Sequence, residues 1–451
     1  MASVPGTKLF GTDGVRGVAG EFLTAELSFA LGRAAAAVGE VSSPQVRVVR
    51  DTRVSGEMLE AALCAGVAAG GGQALLAGVL PTPAASILVR RYGFDLGVVI
   101  SASHNPFQDN GIKFFDRAGR KLSDETEAAV EAHVQAGGAR APGAPEGSCG
   151  RVRALNGAQD DYLRELEARF AVRLEGKRVA LDCANGATYK VAPLLFERLG
   201  AEVDAIGVEP DGVNINLGCG STHTEALQRR VREGGHDIGF AFDGDGDRML
   251  AVTGDGSVVD GDEIIAEVAL DLKRRGEQSG DGVAVTVMTN YGFHRAMRDA
   301  GIEVATTDVG DRYVVEELVR RGWVLGGEQS GHIVDTRLTP SGDGIAAALL
   351  LMRALGERSL ESGTAMQKLP QVLTNVPVAD RDALSGAEAV WEAVAAEGAA
   401  LEGQGRVLVR PSGTEPVVRV MAEAPTEEAC ATISARIAAV VERELGRGVA
   451  A

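Results

Sequence analysis

Three aspartates alternate with glycine in Asp243-Gly-Asp-Gly-Asp-Arg248, which gathers hard oxygen donors where glycine lets the backbone curl around one cation. A calcium loop is excluded, because that motif needs Gly at its sixth position, where Arg248 stands, and Glu at its twelfth, where Gly254 stands. Mg2+ suits this short carboxylate set better and leaves room for a phosphate oxygen. The plain alternative is a solvated acidic turn, but three unneutralised carboxylates so close together repel one another. Arg248 is placed to hold a phosphate beside the metal or, more simply, to pair with the acidic loop.

Ser103 lies in Ile100-Ser-Ala-Ser-His-Asn-Pro106, just beyond a short apolar run. Ser and Asn before Pro make ordinary turns, yet a serine at a strand end can also carry a phosphoryl group when other residues activate it. As a surface-facing hydroxyl it should add little stability, so Ser103→Ala is expected to end turnover and leave the fold intact. Gly326-Gly-Glu-Gln-Ser-Gly-His332 sets carboxylate, amide, hydroxyl and imidazole between glycines, which suits sugar hydroxyls or an amine and serves equally as a polar loop. Arg410-Pro-Ser-Gly-Thr-Glu-Pro-Val-Val-Arg419 reads as strand, tight loop and strand. Ser412, Gly413 and Thr414 can offer hydroxyls and backbone N–H groups to an anion, with Arg410 and Arg419 adding charge; the alternative is a hairpin with incidental arginines. Arg16, in the Gly-rich Phe10–Gly17 turn, and Lys113 each read singly as surface charges. Neither a Walker loop nor a dinucleotide fingerprint is present.

These segments need strands to aim them. Apolar runs of four to six residues alternate with amphipathic stretches, the signature of βαβ units and largely parallel sheets. Strands are expected at Val46–Val49, Ala74–Leu80 and Gly97–Ile100, with helices at Gly56–Ala69 and after Pro81. The Pro-, Gly- and Ala-rich stretch Gly137–Gly150 reads as a linker, after which the pattern restarts. The expected division is 1–150 for the serine-bearing α/β block, 151–255 for the aspartate loop, 256–368 for the polar loop, and 369–451 for a smaller α+β block.

A formal charge of −18 argues against broad binding to nucleic acid or to an anionic membrane, and requires any phosphate site to be locally basic. Five scattered cysteines without Cys-x-x-Cys spacing fit a reducing compartment. With no signal-peptide core and no long apolar run, a cytoplasmic protein is expected.

Together, the four segments in this order and spacing resemble the α-D-phosphohexomutase superfamily over essentially the whole chain. The opening Leu9–Gly17, the run Ser101–Phe115 and Gln329 resemble its bacterial phosphoglucosamine mutase branch. The resemblance implies three similar mixed α/β domains plus a smaller C-terminal α+β domain around a central cleft. It implies a phosphorylated Ser103, with Ser103, Asp243, Asp245 and Asp247 around Mg2+. Glu328 and Ser330 would bind sugar hydroxyls, and Arg410, Ser412, Gly413, Thr414 and Arg419 would grip the non-reacting phosphate. Arg16, Lys113, Arg248 and His332 would serve the transfer, with Lys113, His332 and His104 as candidates for moving the proton. The implied reaction interconverts glucosamine 6-phosphate and glucosamine 1-phosphate through glucosamine 1,6-bisphosphate, upstream of UDP-N-acetylglucosamine and peptidoglycan. A phosphomannomutase/phosphoglucomutase of the same superfamily and a non-catalytic sugar-phosphate-binding protein are the alternatives. The expected partner is a small hexosamine phosphate, and the oligomeric state, a homodimer included, stays open.

Overall fold

The computed structural model describes residues 8–446 except 12, 39–40, 138–148, 278, 362, 364 and 413–414. Most of the expected linker Gly137–Gly150 therefore lies outside the described residues. The chain forms two compact units: Met1–Met288 with Gly301–Ser362, and Thr289–Ala300 with Gly363–Ala451.

The first unit holds three mixed sheets. β1 (Val15–Val18), β2 (Gln45–Arg50), β3 (Gln73–Val79), β4 (Leu96–Ile100), β5 (Asp109–Phe115) and β6 (Val152–Ala154) assemble in the order β1-β5-β4-β2-β3-β6. β4, β2, β3 and β6 run parallel, while β5 turns back antiparallel to β4. Val46 and Val48 of β2 meet Leu59, Leu63 and Val67 of the helix Val54–Ala69 in one apolar core. Residues 152–154 thus complete the first sheet, beyond the expected division at 150. β1 and β5 were not expected as strands: the glycines at 14, 17 and 111 mask the pattern.

β7 (Arg178–Asp182), β8 (Glu202–Ile206), β9 (Ile238–Phe242), β10 (Met249–Thr253) and β11 (Val258–Val259) form the second sheet, ordered β11-β10-β9-β7-β8. Its β10–β11 hairpin is the one expected after Arg248. The third sheet, β13-β12-β14-β15, comprises β12 (Gly282–Thr286), β13 (Glu303–Thr307), β14 (Leu325–Gly327) and β15 (Ile333–Asp335). In each sheet the chemistry-bearing loop leaves the carboxyl end of a parallel strand: Ser101 after β4, Asp243 after β9, Glu328 after β14. That edge is where open α/β sheets bind ligands, because side chains there project beyond the hydrogen-bonded strands.

The second unit is built on an antiparallel sheet, β16-β18-β17, of β16 (Gln371–Pro377), β17 (Arg406–Pro411) and β18 (Val417–Glu423). Val418, Val420 and Ala422 alternate inward against Cys430, Ile433, Ile437 and Val441, which recur along the final helix Glu427–Leu445. The expected class holds: largely parallel α/β sheets followed by a smaller α+β unit.

Candidate active site

Ser103 sits three residues past β4 and is 2% exposed, so its hydroxyl is buried rather than surface-facing. It donates to Asp243 Oδ2 at 2.5 Å, with His104 Nδ1 at 3.4 Å. The aspartate loop lies directly against the serine: a Cβ on Gly244 would fall 2.6 Å from the Ser103 carbonyl oxygen, so only glycine permits this approach.

Asp243, Asp245 and Asp247 are all buried, and each offers an oxygen within 4.8 Å of the others'. Burial, then Asp247 and Asp245, pushes the Asp243 carboxyl well above the ordinary carboxylate range. Two oxygens, Asp245 Oδ1 and Asp247 Oδ1, are buried without a hydrogen-bond partner. Converging hard donors, mutual repulsion and orphaned oxygens fit a divalent cation such as Mg2+. The three aspartates singled out in the sequence thus converge as a candidate cation site.

Lys113 is buried instead of surface-exposed, because β5 carries it back beneath the serine loop. Its Nζ stands 2.9 Å from Asp245 and 3.1 Å from Asp13. Burial opposes the ammonium, yet Asp13 and Asp245 outweigh it and raise its pKa. From Asp13 the pairing continues to Lys121 at 2.5 Å, and from Lys121 to Asp311 at 2.7 Å. His332 Nε2 is 3.6 Å from Asp311, and its Nδ1 is 3.6 Å from Asp247. Charges therefore alternate along Asp245, Lys113, Asp13, Lys121, Asp311, His332 and Asp247, beginning and ending on the triad. Burial alone would lower the His332 imidazole, but Asp247, Asp311 and Glu328 push it up to about 9. The Gly342 N–H, 3.0 Å from Nε2, acts the other way by favouring a neutral ring, and two carboxylates outweigh it.

Arg248 keeps a buried Nε without a hydrogen bond, and Arg16 pairs with Asp13. Glu328 accepts the Gly310 N–H at 3.2 Å, Ser330 is exposed, and Gln329 turns toward Asp260 at 3.2 Å. The first unit thus gathers Ser103, the triad, Lys113, His332 and Arg248, with Arg16 joined through Asp13. In the second unit Arg410 and Arg419 face each other across β17 and β18, and Ser412 is buried at the end of β17. Gly413 and Thr414 lie outside the described residues.

Four family models match in succession: Phosphoglucomutase/phosphomannomutase alpha/beta/alpha domain I over 7–141, domain II over 160–256, domain III over 260–373, and the C-terminal domain over 373–440. The chain belongs to the phosphoglucomutase/phosphomannomutase family. Within it, the phosphoglucosamine mutase of Moorella thermoacetica is 51% identical over 95% of this chain and 98% of its own length. That of Mycolicibacterium paratuberculosis is 51% identical over 96% and 99%. The fold matches a crystal structure of a phosphoglucomutase/phosphomannomutase family protein from Burkholderia thailandensis, with TM-score 0.84, 24% identity and 97% coverage of both chains. It also matches Aspergillus fumigatus N-acetylphosphoglucosamine mutase, solved with GlcNAc-6P and magnesium, at TM-score 0.68, 18% identity and 98% and 96% coverage. The resemblance drawn from the sequence motifs is borne out, as is the isomerase-class phosphohexomutase assignment. Among the described residues no helix is long and apolar enough to cross a membrane.

Sequence reasoning missed several residues that the structure brings up to this cluster. Asp13, Lys121 and Asp311 are separated by 108 and 190 positions along the chain, and no local pattern joins them. Asp51 and Arg53 had a findable signal. They follow β2 at the same carboxyl edge as Ser103, where polar residues should be suspected.

Proposed function

We propose that this chain interconverts glucosamine 6-phosphate and glucosamine 1-phosphate through a phosphorylated Ser103. The observation that carries the serine's role is its 2.5 Å contact with Asp243 inside a buried carboxylate triad. The choice of an amino sugar rests on relatives of about half identity that are phosphoglucosamine mutases.

In the first step the free sugar hydroxyl attacks the phosphorus on Ser103. A sugar O–P bond forms as the Ser103 Oγ–P bond breaks, giving glucosamine 1,6-bisphosphate, and the hydroxyl proton passes to the departing Oγ. The intermediate then turns end over end, and its other phosphoryl group returns to Ser103 by the reverse step. Asp243, Asp245 and Asp247 hold Mg2+, which when bound supplies positive charge to the phosphoryl oxygens. Lys113, Arg16 and Arg248 hold charge around the transfer. Of the three candidates for proton movement, His104 is nearest to Oγ; burial, then Arg248 and Arg16, lowers its pKa and keeps it neutral enough to accept a proton. Glu328 and Ser330 read sugar hydroxyls, and Arg410, Ser412, Gly413, Thr414 and Arg419 take the non-reacting phosphate.

The test compares turnover of glucosamine, glucose and mannose 6-phosphates, with intact mass and peptide mapping of the purified protein. Preference for the amino sugar and phosphate on Ser103 are the expected results. A clear preference for either neutral sugar, or an active enzyme without phosphate there, would overturn the corresponding half of the reading.

A further inference from the structure

Ser103 has φ +52°, in the left-handed region that side-chain-bearing residues rarely occupy. Such a backbone persists only where its surroundings over-determine it. Here both polar backbone groups of the residue are tied, and both ties lead to one carboxylate. The Ser103 N–H donates to Ser101 Oγ at 3.0 Å, and Ser101 Oγ donates to Asp51 Oδ2 at 2.5 Å. The Ser103 carbonyl accepts Arg53 Nη2 at 2.9 Å, and Arg53 Nε donates to that same Asp51 oxygen at 2.9 Å. Asp51 is thus the common end of a closed circuit through Ser101, Ser103 and Arg53.

The guanidinium does more than close the circuit. Arg53 Nη1 donates to the Pro106 carbonyl at 2.5 Å and Nη2 to that of Asn105 at 2.9 Å, so three carbonyls of one loop share one planar fork. Asn216, from the second sheet's side, donates to the Ser103 and Asn105 carbonyls at 2.9 and 3.0 Å. Arg53 is 0% exposed and Asp51 1%. Neither can touch a substrate, and a buried ion pair is a poor source of net stability, since an apolar pair of similar volume often does as well. What the pair fixes is the direction of the Ser103 side chain toward Asp243. Phosphoryl transfer is sensitive to that direction, because a displacement of about 1 Å at a reacting atom costs about a hundredfold in rate.

We propose that Asp51 and Arg53 are positioning residues, which hold Ser103 in its left-handed conformation and so align Oγ for transfer. This inference rests on the phosphoserine reading above.

Ser101→Ala removes one link with little change of volume, and Arg53→Lys keeps the charge while losing the fork. Each is compared with wild type for kcat, KM, melting temperature, phosphate on Ser103 by mass, and the phosphorus NMR resonance of the phosphoserine. Expected is a fall in kcat of about tenfold to a hundredfold with KM within about twofold. Phosphate should remain on Ser103, with a broadened or split phosphorus signal. If Arg53→Lys does not fold, Ser101→Ala decides. A folded Ser101→Ala variant with wild-type kcat, or one that loses only melting temperature, would overturn the inference while leaving the phosphoserine reading intact. Active wild type lacking phosphate on Ser103 would sink both, and is told apart by the mass of the unmodified enzyme alone.

Discussion

Arg410 and Arg419 stand opposite each other in the antiparallel register of β17 and β18. Residues so paired project from one face of the sheet, and like charges there repel unless an anion lies between them. Burial, then Arg419, lowers the pKa of Arg410 from its ordinary value. Inorganic phosphate should therefore raise the melting temperature of the wild-type enzyme. Arg419→Ala should lose that shift and raise KM about tenfold to a hundredfold, the worth of about one charged hydrogen bond. An unchanged KM would remove these arginines from the phosphate site.

Ser103→Ala is expected to cut turnover to below about one ten-thousandth of wild type, as losing a nucleophile does elsewhere. In the presence of Mg2+ its stability should stay within about 1 kcal/mol, since the metal satisfies the carboxylate that the hydroxyl leaves. Urea titration with and without Mg2+ measures this. Retained turnover would refute the serine as carrier.

Asp243→Asn should separate folding from metal binding. The folded-state pKa of Asp243 lies above its unfolded value, so the metal-free wild type loses stability as pH rises through that raised value. In chelator at neutral pH the Asn variant should melt higher than wild type. With Mg2+ at a hundred times its Kd the wild type gains about 2.7 kcal/mol, and the variant should gain little. Equal Mg2+ shifts in the two proteins would place the cation elsewhere.

Lys121→Met tests the alternating charges beyond the triad. Burial raises the pKa of Asp13 and of Asp311, but the cations around them, Lys121 in both cases, bring each net below its ordinary value. Their contribution to stability is complete above about pH 4 and is lost as pH falls toward those depressed values. Without the lysine both values climb, so acid unfolding should begin at higher pH. The loss at neutral pH should be about 3 kcal/mol, the low end for a broken buried pair, because Lys121 keeps 21% of its side chain exposed. An unchanged acid limb would show that the pairs carry no weight.

What could be read from the sequence was whatever lies close together in it. Ser103, the three aspartates and the β10–β11 hairpin each sit within a few residues of the strand that positions them, so a local pattern revealed both element and site. Lys113 was harder: its strand contains Asp109, Asn110 and Gly111, which hide the alternation, and its buried side chain meets Asp13 and Asp245, both remote in the sequence. Asp13, Lys121 and Asp311 were illegible for a stronger reason. Each is an ordinary charged residue in its own neighbourhood, and only the packing of the first sheet's block against the third's makes them one chain of charges. Ser103 misled in the opposite direction, since a polar turn is normally solvated and this one is sealed by Arg53, Asn216 and Gly244.

That chain of charges also bears on how the protein can be recombined with its relatives. Asp13, Lys113 and Lys121 arrive with the first sheet, Asp245 and Asp247 with the second, and Asp311 and His332 with the third. A hybrid that takes one segment from a homologue with a different charge at 121 or 311 inherits a broken ion pair in a place only partly open to water. Segments of this enzyme are therefore not interchangeable parts: crossover libraries should show linked inheritance at 13, 121 and 311 even when each breakpoint falls in a harmless loop.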